Sequence, residues 1–149
     1  MFSKMKLMFT LVLSLALLGC TSQTFAPEED ANKMAELFIQ SVNAKDYDAA
    51  FALVSDDFYS YRGKEQWTAY YQEIAEHMGP VISVKQTRKH VDSRLTGQFY
   101  MYQFSIKRET GFTKEMVTFI QKINTNEPLK VLAHKIESSH LSKINSKYH

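Results

Sequence analysis

The chain has 149 residues, 44% hydrophobic and 23% charged, which is the size and composition of a single globular domain. Its formal charge of +2 comes from Lys4 and Lys6, so residues 20–149 are neutral and lack the clustered Lys and Arg that phosphate neutralisation needs; this argues against nucleic acid as a partner. The lone cysteine allows no internal disulfide, and there is no Cys-pair metal motif and no Gly-rich phosphate loop, so no cofactor is expected.

Residues 1–6, "MFSKMK", are basic, and residues 7–18, "LMFTLVLSLALL", are apolar apart from Thr10 and Ser14. At ~1.5 Å per helical residue this run is too short to cross a ~30 Å hydrocarbon core comfortably. A basic start followed by a short apolar run is the pattern of a secretory signal. A buried core helix fits poorly, because the segment is apolar on every side and lies at the N-terminus. The nearest small-x-small site, "TFA", ends at Ala26 and is followed by Pro27, a poor context for cleavage. At the end of the run stands "LLGC", with Leu17 three residues before Cys20 and Gly19 just before it. This resembles the bacterial lipobox, although Leu18 is a less usual middle residue. The resemblance implies cleavage between Gly19 and Cys20, a diacylglycerol on the Cys20 thiol and acylation of the new N-terminus. Two or more acyl chains anchor a protein stably where one does not. In lipoproteins of Gram-negative type an aspartate after the cysteine retains the protein at the inner membrane; Thr21 stands there instead. The expected address is therefore the outer membrane, facing the periplasm.

Residues 20–26 read as the lipidated cysteine and a polar tether, spanning roughly 20 Å at ~3.3 Å per residue. A domain is expected over 27–138. Pro27 can open a helix, Glu28, Glu29 and Asp30 suit its positive end, and Ala31, Met34, Ala35, Phe38 and Val42 form one apolar stripe. Asp46 can cap a short helix over 47–54. "SDDFYSYRG" connects it to a third helix over 64–78, with Trp67, Tyr70, Tyr71, Ile74 and Met78 at helical spacing and Gly79-Pro80 as its stop. Strands are expected over 81–93, 98–108, 113–123 and 129–138, joined by hairpins. Tyr100, Tyr102, Phe104 and Ile106 alternate with Gln103, Ser105 and Lys107 and so share one face. Residues 139–149 hold one Leu and one Ile and are expected to fray. Helices followed by a strand meander give an α+β order, with N-terminal helices packed on a curved antiparallel four-strand sheet.

"AKDYDAAFALVSDDF", residues 44–58, resembles the helix-turn-helix opening of the cone-shaped superfamily named for nuclear transport factor two. "EQWTAYYQEIAEHMGPVIS", residues 65–83, is similar to a family of uncharacterised bacterial domains within it. The resemblance covers roughly residues 30–138. It implies a cone-like α+β fold, and leaves function open, since that superfamily holds ketosteroid isomerase, scytalone dehydratase and many non-enzymes.

An isomerase of that kind needs a base and acidic donors in an apolar pocket. The candidates are His90, Asp92, Tyr100, Tyr102 and His134. His134 alternates with Leu132 and Ile136 and should point inward, so a pocket with His134 as base and a sheet tyrosine as donor can be drawn. The plainer reading is packing: inward tyrosines and histidines are usually satisfied core groups, and Asp92 sits among Lys89, Ser93 and Arg94 at a strand end. Trp67, Tyr70, Tyr71, Tyr102 and Phe104 are candidates to line a ligand pocket. The histidines at 77, 90, 134, 140 and 149 show no ligand spacing, so no metal site is expected. "KRET", residues 107–110, reads as an ordinary hairpin approach. The favoured function is a non-catalytic envelope module, held at the membrane by the lipid on Cys20, that binds a protein partner or a small apolar ligand. The alternative is an isomerase or dehydratase-like enzyme.

Overall fold

The computed structural model describes residues 24–125 and 127–148; the apolar leader and Cys20 lie outside the described residues. Helix α1 (Glu28–Asn43) starts behind Pro27, whose fixed φ suits a helix entrance, and its first turn carries Glu28, Glu29 and Asp30. Its buried face is Ala31, Ala35, Phe38, Ile39 and Val42. Lys45 turns the chain at φ 62°, and the Asp46 carboxylate accepts from Ala49 N to cap helix α2 (Tyr47–Ala52). The sequence extends this helix to residue 54, but Leu53 and Ser55 leave it to pair with β4. Val131 N donates to Leu53 O and Ser55 N donates to Val131 O, each at 2.9 Å. A 3₁₀ helix (Asp56–Ser60) follows. Helix α3 (Lys64–Met78) buries Trp67, Tyr70, Tyr71, Ile74 and Met78 and ends at Gly79, where φ is 73°.

Strands β1 (Val81–Arg94), β2 (Gly97–Arg108), β3 (Gly111–Lys122) and β4 (Lys130–Glu137) form one antiparallel sheet in sequence order. The β1 pairing is interrupted at Ile82 and Thr87 and the β4 pairing at Leu132; such bulges bend a sheet. At the β1–β2 hairpin, Gly97 has φ 155°, and a Cβ there would lie 2.3 Å from Gln121 O, so no larger residue fits without moving β3. Tyr100, Tyr102, Phe104 and Ile106 do share the inner face, with Val117 and Phe119 beside them, and α1 and α3 cover them.

The C-terminal segment does not fray. Residues Ser139–Leu141 form a 3₁₀ turn and Ser142–Lys147 a short helix, α4. Leu141 is fully buried and Ile144 nearly so. Asn145 ties the segment down by accepting from Tyr70 Oη at 2.8 Å and donating to Ile136 O at 3.3 Å, and Lys147 pairs with Glu73 at 2.7 Å. Few apolar residues suffice because both join the hydrophobic core, while Asn145 bonds the segment to α3 and β4.

Candidate functional site

Two features stand out beneath α3. One is a chain of buried polar groups inside the cone. Glu115 precedes Val117 and Phe119 on the inner face of β3, opposite Phe104, and is fully buried. Its Oε1 accepts from Thr113 Oγ1 at 2.8 Å and from Arg108 Nη2 at 3.3 Å, and its Oε2 meets His134 Nε2 at 3.1 Å. Arg108 also donates to Asn43 Oδ1 at 2.7 Å, and His134 Nδ1 meets Tyr71 Oη at 3.0 Å. Burial alone would raise the Glu115 carboxyl, but the His134 hydrogen bond and electrostatic field, the Arg108 cation and the Thr113 hydroxyl outweigh it and hold the group below its ordinary range. Burial, reinforced by Glu115, pushes Tyr71 well above its ordinary range, so its hydroxyl stays protonated. Tyr71 can then donate to Nδ1 while Nε2–H donates to Glu115, which gives each proton an acceptor.

The second feature is a cleft of about 670 Å³ between the 3₁₀ helix, β4 and the C-terminal segment. Its walls include Phe58, Tyr61, Trp67, Leu132 and Tyr148. Phe58 stacks on Trp67 with centroids 4.6 Å apart, which fixes the inner wall. A smaller cleft of about 370 Å³ adjoins it, lined by Tyr70, Ile136 and Asn145, and Arg62 and His134 border both. The His134 side chain itself has no exposure, so only its backbone reaches either cleft. The Arg62 guanidinium lies over the rings of Trp67 and Tyr70, 4.6 and 4.5 Å from their centroids, and its Nε donates to Tyr148 O at 2.6 Å.

Comparison with protein-family models and with curated proteins finds no match. Solved structures do match. An NTF2-like protein of unknown function from Pseudomonas putida KT2440 superposes with a TM-score of 0.55 at 15% identity, over 78% of this chain and 89% of that one. The domain has the NTF2-like fold. A Streptomyces avermitilis protein described as a candidate dehydratase of the NTF2-like family matches with a TM-score of 0.50 at 11% identity, over 72% of this chain and 93% of that one. The Bd1075 protein of Bdellovibrio bacteriovorus matches with a TM-score of 0.53 at 7% identity, over 73% of this chain; the match spans 40% of that longer chain. At these identities the likeness is one of fold.

Within this NTF2-like domain the residues proposed for acid–base work are kept apart. The Tyr100 hydroxyl donates to Ala26 O at 2.5 Å and that of Tyr102 to Glu28 O at 3.0 Å, so both clamp the start of α1 to the sheet. Burial, with Glu28 and Tyr100 adding to it, pushes Tyr102 up to about 12. His134 is committed to Tyr71 and Glu115 instead, and neither of the two clefts described above is lined by Tyr100 or Tyr102. His90 is exposed on β1, and Asp92 pairs with Arg94 at 2.7 Å. Of the pocket candidates, Trp67 lines the large cleft and Tyr70 the small one, whereas Tyr71, Tyr102 and Phe104 are buried in the core away from both. Arg108, read as part of a hairpin approach, is a buried member of the polar chain. Sequence reasoning also missed Glu115 and Arg62. Alternation carries a signal for Glu115, two residues from Val117 on an inward-facing row.

Proposed function

We propose that this chain is a membrane-anchored lipoprotein of the bacterial envelope whose NTF2-like domain is a binding module for a small, largely apolar ligand. The observation that carries the binding reading is the large cleft. It has the size of a small-molecule site, with aromatic walls and few polar groups. A catalytic base must reach its substrate, whereas both ring nitrogens of His134 are engaged in the core. The geometry thus favours binding over the isomerase or dehydratase-like alternative.

The anchor reading rests on the "LLGC" motif, and the domain's entrance is compatible with it. Ala26 N donates to Gln121 Oε1 at 2.6 Å, so the chain enters at the sheet end that carries the β1–β2 hairpin. On this reading that end lies within about 20 Å of the bilayer. Leu95, 96% exposed at the hairpin tip, and the half-exposed Ile123 are on that side. Mass spectrometry of the membrane fraction should find a mature chain beginning at an acylated Cys20, and Cys20→Ala should move the protein out of that fraction. A soluble chain starting elsewhere, or a Cys20→Ala variant that stays equally membrane-bound, would overturn the anchor.

A further inference from the structure

Arg62 lines both clefts. The other charged side chains at the two clefts have opposite partners. Asp57 pairs with Lys122 at 3.2 Å, and Glu137 pairs with Lys135 at 2.6 Å and with Lys114 at 3.4 Å. Arg62 alone among these lining charges makes no ion pair among the described residues. Its Nε is spent on Tyr148 O, and its two Nη groups have no hydrogen-bond partner there. The guanidinium is not loose, because it is held between Trp67 and Tyr70 at the border of both clefts. A guanidinium held by cation–π contact keeps its N–H groups available, and its two Nη groups can meet the two oxygens of a carboxylate.

Resting on the binding reading above, we infer that the ligand is an amphiphilic monoanion: an apolar body in the aromatic cleft and one carboxylate seated on Arg62. A neutral apolar molecule would leave the cation unpaired beside it, and an ammonium would be repelled.

The test uses the full chain in nanodiscs of neutral lipid, with empty nanodiscs as reference. Isothermal titration is run with 4-phenylbutyrate, 4-phenylbutanol and 4-phenylbutylammonium. The carboxylate should bind at least about tenfold more tightly than the alcohol, and the ammonium most weakly; tenfold is about 1.4 kcal/mol. Arg62→Met should abolish the preference, so that carboxylate and alcohol bind the variant equally, while Arg62→Lys should keep part of it. The same comparison between octanoate and octanol tells an alkyl body from an aryl one by which acid binds more tightly. Equal binding of carboxylate and alcohol to the unaltered chain would overturn the anion assignment while leaving the pocket standing. Binding of none of the compounds would overturn both. The comparison on the unaltered chain decides the matter even where a variant folds poorly.

Discussion

Glu115→Gln should destabilise the domain by about 3–5 kcal/mol, the usual cost of removing one partner from a buried ion pair. The substitution keeps the side chain's size but leaves the Arg108 guanidinium, 5% exposed, without its counter-charge. It also replaces an acceptor of three contacts with a group that must present an amide to one of them. Stabilities of ordinary domains are about 5–15 kcal/mol, so this is a large share of the whole. Urea unfolding at neutral pH measures it directly. The same residue gives a pH dependence. Glu115 holds its proton less readily in the folded chain than in the unfolded one. Its contribution is therefore complete above the unfolded carboxylate value of about 4.3 and is lost as pH falls through the lower folded value. Unaltered protein should lose stability across that acid range, and Glu115→Gln should lack this component. Replacing both charges together, as in Arg108→Met with Glu115→Leu, should recover part of the loss, since a buried pair can give way to apolar packing.

Deleting residues 139–149 should cost as much or more. Leu141 and Ile144 are buried in the hydrophobic core, and truncating one buried aliphatic side chain costs about 2–5 kcal/mol. The deletion also strips the Asn145 partner from the Tyr70 hydroxyl, removes the Lys147–Glu73 pair and takes away Tyr148, the cleft wall against which Arg62 is oriented. Tyr70, pushed up to about 12 chiefly by its burial, would then face water. The truncated chain should unfold at markedly lower urea and lose ligand binding. Leu141→Ala alone should show the stability loss while retaining the cleft. A truncation that leaves the urea midpoint unchanged would show that the tail is merely laid on the surface.

The parts of the fold legible in the sequence are those with strong local periodicity. The apolar stripe of α1, the Asp46 cap, the aromatic face of α3 and the alternation from Tyr100 to Ile106 each specify an element and its buried side. What escaped depends on distant residues. Leu53 and Val54 continue a helical pattern, yet Val131 captures their backbone in a bridge. Leu141 and Ile144 are too sparse to signal burial without the core they join. The site is harder to read, because a charged residue type by itself points to the surface. Arg108 and Glu115 occupy inward positions and compensate one another, so their burial follows from parity rather than from residue type. Arg62 lies in a connection without periodicity, and its role depends on Trp67, Tyr70 and Tyr148 converging from two other segments.

The most direct test of a binding cleft in this domain is a two-dimensional nitrogen-15 NMR titration of the full chain in nanodiscs with 4-phenylbutyrate. Residues 57–62, Trp67, residues 132–134 and Tyr148 should shift together and saturably, with the Arg62 side-chain resonance among the largest changes. An unchanged cleft, or shifts confined to the outer sheet face around Phe112 and Met116, would contradict it.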